Sequence, residues 1–82
     1  MMRVRLKTAF GPVEVIVGGR SESEVSEIVY EGAPAAVAII RRELVRFIGE
    51  DGRHLIAHAT PADLRAAMRA PELQRYGPEE IE

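Results

Sequence analysis

Residues 33–48 read APAAVAIIRRELVRFI. On a helical wheel Ala36, Val37, Ile40, Leu44, Phe47 and Ile48 gather on one side. That spacing is the stripe of a helix packed against a core. Pro34 stands near the start, where a missing N–H costs nothing, and Gly49 follows the last apolar residue as a left-handed C-cap would. A central helix is therefore predicted, with Leu44 and Phe47 as its core anchors.

Upstream, residues 3–7 alternate strictly, with Arg3, Arg5 and Lys7 on one face and Val4 and Leu6 on the other. This is the period of a half-buried strand. Turn chemistry at Phe10-Gly11-Pro12 leads to the β-branched run Val13-Glu14-Val15-Ile16-Val17, and the two strands read as an antiparallel hairpin. Val13, Val15 and Val17 join Val4 and Leu6 on the core face, and a one-residue slip would bury the basic side chains. Gly18-Gly19 ends the second strand. Ser21-x-x-Glu24 has the form of a capping box, and Val25, Ile28 and Val29 follow at helical spacing. A short helix over 22–31 is the first reading; a brief strand at 27–30 is the alternative.

Downstream, Glu50-Asp51-Gly52 reads as a turn and residues 53–59 as a third strand, with Leu55 and Ala57 on one face and His54, Ile56 and His58 on the other. Thr60, Pro61 and Asp63 supply an N-cap, an N1 proline and an N3 acid for a helix buried through Leu64, Ala67 and Met68. Leu73 and Tyr76 pack back as one more turn before Gly77. The predicted architecture is a single α+β domain over residues 1–77, in element order β-β-α-α-β-α. Its small three-stranded antiparallel sheet has order 2-1-3, with helices on one face. Residues 78–82 read as a tail or the opening of a truncated helix, because proline and carboxylates favour a helix start. The far sheet face would carry Arg3, Arg5, Lys7, Glu14 and Ile16, extended by His54, Ile56 and His58.

Composition excludes more than it assigns. The 82 residues suit one domain, and without cysteine there is no disulfide and no thiolate metal site. Missing cysteine suits a reducing cytoplasm, which is the expected location. No apolar run is long enough to span a bilayer, and the N-terminus has no signal-peptide core. A net charge of −2 gives no bulk attraction to nucleic acid or membrane. Lys7 is the one lysine among eleven basic residues, a bias that the Ala/Arg habit of a GC-rich bacterial genome explains.

No motif assigns an activity. His54 and His58 are four apart, but on a strand that is roughly 13 Å, too far for one ion, and no third ligand accompanies them. Gly18-Gly19 lacks the phosphate-loop patterns, and Glu22 and Glu24 would repel a phosphate there. Ser21, Ser23 and Ser26 sit in no nucleophile motif. No catalytic residue, metal or cofactor is expected. The leading expectation is a non-catalytic interaction or assembly module that binds a protein or a second copy of the chain. Its candidate interface is Ile39, off the core stripe, with Arg42, Glu43 and Arg46; a sheet edge is the other docking route. The alternative is a weak nucleic-acid module using Arg3, Arg5 and Lys7 as an anionic-ligand face, which the acidic balance and missing aromatics disfavour. A small enzyme subunit comes third.

Overall fold

The computed structural model describes residues 1–53 and 55–81. The expectation for His54 lies outside the described residues. Strand β1, Met2–Thr8, and strand β2, Gly11–Val17, form the expected hairpin, paired from Met2↔Val17 to Thr8↔Gly11. Thr8 closes the turn by donating its hydroxyl to Gly11 O at 2.9 Å and accepting from Phe10 N at 3.1 Å. Val4, Leu6, Val13, Val15 and Val17 are buried, in the register that alternation requires.

The first departure is β3, Ser26–Gly32, a strand where the helix over 22–31 was the first reading. Period two wins because Ile28 and Tyr30 turn inward while Glu27, Val29 and Glu31 turn outward. Ile, Val and Tyr also suit a pleated surface better than an isolated helical turn. Ser21 and Glu24 serve a turn: Glu24 N donates to Ser21 O at 3.3 Å. With β3 beside β2, the sheet grows as the meander β1-β2-β3, and the order 2-1-3 is lost.

Helix α1, Pro34–Leu44, follows, with Pro34 in its first turn. Ala36, Ile40 and Leu44 are fully buried on β1–β3. The helix stops four residues early. Phe47 N and Ile48 N both return to Leu44 O, at 2.9 and 3.2 Å, and Gly49 enters a strand instead of capping the helix. Phe47 is thereby turned out, 40% exposed, and is not a core anchor. Strand β4, Gly49–Asp51, occupies the expected turn and pairs with β5, Ile56–Ala59. Strand β5 in turn pairs with the start of β3 through Ser26↔Ala59 and Glu27↔His58.

Helix α2, Pro61–Met68, carries a reciprocal capping box, Asp63 N to Thr60 Oγ1 and Thr60 N to Asp63 Oδ2, both 3.1 Å. Leu64, Ala67 and Met68 are its buried stripe, and the short α3, Pro71–Gln74, adds Leu73. The segment read as a tail or helix opening holds strand β6, Glu79–Glu80, antiparallel to β1. The open edge of β1 holds this segment, with Arg3 O accepting from Ile81 N at 2.8 Å.

Among the described residues the sheet therefore has six antiparallel strands, in order β4-β5-β3-β2-β1-β6, not three in order 2-1-3. The element order is β-β-β-α-β-β-α-α-β, again not the one predicted. The core, formed by the inner sheet residues and α1–α3, lies on one face. No helix among the described residues is long and apolar enough to cross a membrane.

Candidate functional site

On the outer face of the sheet the strands bring charged side chains together. Strand alternation places Arg3, Arg5 and Lys7 of β1 there, with Pro12, Glu14 and Ile16 of β2 and Glu27, Val29 and Glu31 of β3. The registers order these into rows across the strands. One row runs Glu79–Arg5–Glu14–Glu31, and the next runs Arg3–Ile16–Val29. One flank is thus basic along β1 and the other acidic along β3, with an apolar pair between. Ile16 is only 9% exposed, although among the described residues no helix lies over its face, while Val29 is 47% exposed. His58 lies opposite Glu27 at the rim.

Arg3 Nη1 bridges to Glu14 Oε1 at 3.4 Å, so the central carboxylate has a cation beside it. Neither Arg5 nor Lys7 has an ion-pair partner among the described residues. A concavity of about 380 Å³ opens beside this row, lined by Arg5, Pro12, Glu14, Glu31 and Gly32. No family model, curated protein or solved structure matches the chain. The chemistry of its surfaces must therefore carry the assignment.

Of the four helix residues proposed from the sequence, Ile39, Arg42 and Glu43 lie on α1 and Arg46 follows its end. Ile39 is half-buried and Arg42 exposed on α1, and Arg46 is exposed beyond the helix end. Glu43 is 5% exposed, and its Oε2 lies 3.3 Å from Arg75 Nη2, while that guanidinium also stacks on Tyr76 at 5.1 Å. Glu43 is thus committed inside the fold. Among the described residues no three His, Asp or Glu side chains gather as a metal site. A smaller cavity of about 220 Å³ is lined by Met2, Val4, Arg65, Met68, Arg69 and neighbours. Its Arg65 already serves Glu22 at 3.1 Å and Glu80 at 2.7 Å. The Glu22 hydrogen bond above all holds that guanidinium charged, raising its pKa. This cation fastens β6 and the loop before β3 to α2.

The acidic flank was missed in the sequence because Glu27, Val29 and Glu31 had been read on a helix. Their alternation with Ile28 and Tyr30 was the available signal.

On the inner side, the Tyr30 hydroxyl is buried with no hydrogen-bond partner among the described residues. Burial pushes its phenol up to about 12; Arg41 works against this and Glu50 adds to it. Arg41 and Glu50 are themselves paired at 2.9 Å. An ordinary phenol ionises near 10, so above that pH the unfolded chain loses a proton that the folded chain keeps. Stability is expected to fall as pH rises from about 10 through 12, and less so in Tyr30→Phe. A 295-nm titration of wild type minus Tyr30→Phe should give a midpoint near 12. A midpoint near 10 would mean the hydroxyl is solvated.

Proposed function

We propose that the chain is a non-catalytic protein-interaction module whose binding surface is the outer face of its sheet. The observation that carries this reading is Val29, 47% exposed beside Ile16, on a sheet face with a basic flank along β1 and an acidic one along β3, over which no helix lies among the described residues. An apolar centre with a charged rim is the usual anatomy of an interface. The sheet edges are poorer candidates: β4 has three residues and β6 has two, and short edge strands offer little ladder to an incoming chain. Nucleic acid is the weaker alternative, because Glu14, Glu27, Glu31 and Glu79 share the face with Arg3, Arg5 and Lys7. Neither Tyr30, which packs on the core, nor Phe10, in the hairpin turn, offers a base a stacking platform there. A reducing cytoplasm fits the lack of cysteine.

Tagged wild type and Val29→Asp, both checked for folding by circular dichroism, would be recovered from source cells and their co-purifying proteins quantified. At least one protein, a second copy of the chain included, should be retained by wild type and lost from the variant. Indistinguishable profiles would count against the reading. So would micromolar binding of mixed-sequence RNA or DNA at physiological salt that Arg5→Glu weakens. Three phosphate contacts would appear there as a log–log salt slope of roughly −2 to −3.

A further inference from the structure

We propose that the outer face binds a second copy of this chain, face to face, about a two-fold axis parallel to strand β2. This rests on the reading of that face as an interaction surface, and it names the partner. A two-fold interface must be self-complementary, so one face has to present both halves of every contact. This face does so: β1 supplies Arg3, Arg5 and Lys7, and β3 supplies Glu27 and Glu31, on opposite sides of β2.

Charge then selects the axis. Two sheets facing each other can be related by an axis lying across the strands or along them. Across the strands, β1 lies over the partner's β1 and β3 over its β3, so like charges meet on both flanks. Along the strands, the two flanks exchange. Arg5 then faces the partner's Glu31, Glu31 faces the partner's Arg5, and Ile16 meets its own copy on the axis. Val29 lies over the aliphatic stem of the partner's Arg3, which follows from the shared row Arg3–Ile16–Val29. Glu14 would approach its own copy, but the Arg3 beside it at 3.4 Å offsets that repulsion. Stacked sheets tolerate a rotation of about 30° between strand directions, which keeps these rows in contact.

Size sets the strength. Three strands of seven residues make a patch of roughly 23 Å by 14 Å. Two such patches come to roughly 640 Å² of flat area in total, below the standard specific interface and in the range of weak, transient encounters. A weak, reversible dimer that forms toward millimolar concentration is expected, not an obligate one.

The test uses the full chain in sedimentation experiments from micromolar to millimolar concentration. Wild type should dimerise. Arg5→Glu and Glu31→Arg, each alone, set like charges against each other twice per dimer and should weaken it about tenfold or more. Mixed in equal amounts, the two variants should dimerise again, because each carries the charge the other lacks. Only the axis along the strands makes each variant weaker than wild type and the mixture recover, because across the strands each variant alone would keep the like-charge contacts that wild type already has. A wild type that stays monomeric to millimolar concentration overturns the proposal, as do single variants that dimerise like wild type, or a mixture that is not rescued. Should either variant fold poorly, loss of the dimer in Val29→Asp decides the face. A monomeric wild type with Val29-dependent capture of another protein would refute the self-association alone; loss of both would refute the interaction reading itself.

Discussion

Leu44→Ala is expected to remove about 2–5 kcal/mol of stability, while Phe47→Ala should cost about 1 kcal/mol at most. The two residues are one helical turn apart in sequence and share the predicted apolar stripe. Leu44 is fully buried at the last turn of α1, where truncation would leave a cavity among packed neighbours. Phe47 is 40% exposed after the helix has unwound, so much of its ring is already in water. Natural domains carry about 0.05–0.15 kcal/mol per residue, which for 82 residues is roughly 4–12 kcal/mol. The first substitution therefore threatens the fold and the second does not. Urea titrations followed by circular dichroism separate them. Equal losses would mean that α1 runs on to residue 48 and seats Phe47 in the core.

Periodicity was legible wherever one face of an element is buried and the other is wet. The β1–β2 register, the buried faces of α1 and α2 and the Thr60–Asp63 cap all follow from such local signals. Strand β3 was ambiguous because Val25, Ile28 and Val29 fit a helical spacing as well as Ile28 and Tyr30 fit a strand. Only the neighbouring edge of β2, unknown from the sequence, decides between them. Strands β4 and β6 are three and two residues long, too short to show a period, and they exist only because another strand presents free backbone groups. The stop of α1 at Leu44 is the same effect from the other side: pairing of Gly49 with His58 takes the chain away from the helix. The basic flank of the outer face was visible because it lies on the hairpin. The acidic flank was hidden with β3, and with it the opposed charge pattern on which the self-association argument depends.

Gly32→Ala tests that same strand at its end. Gly32 pairs with Val13 at φ +155°, and a Cβ placed on it would lie 2.7 Å from the Pro12 carbonyl oxygen and 3.4 Å from Val13 Cα. Those neighbours are backbone, so a methyl group cannot be accommodated by rotating a side chain. Either β3 lifts away from β2 or the chain is strained. Strain of this kind costs on the order of 1–3 kcal/mol. Gly52 is the control: none of the described residues lies within 4 Å of its would-be Cβ. Gly52→Ala should be neutral or mildly stabilising, by up to about 1 kcal/mol, through the unfolded chain. Hydrogen exchange should localise the Gly32→Ala defect to amides near the Val13↔Gly32 pair, leaving the far end at Met2↔Val17 protected. Because Glu31 sits beside Gly32 in the acidic flank, the same variant should weaken any dimer built on that face while α1 stays folded. If Gly32→Ala behaves like Gly52→Ala, the close approach of β2 and β3 at this end does not exist. Glu31 then has no fixed position opposite Arg5 and Glu14, and the charge-matched arrangement loses one of its two flanks.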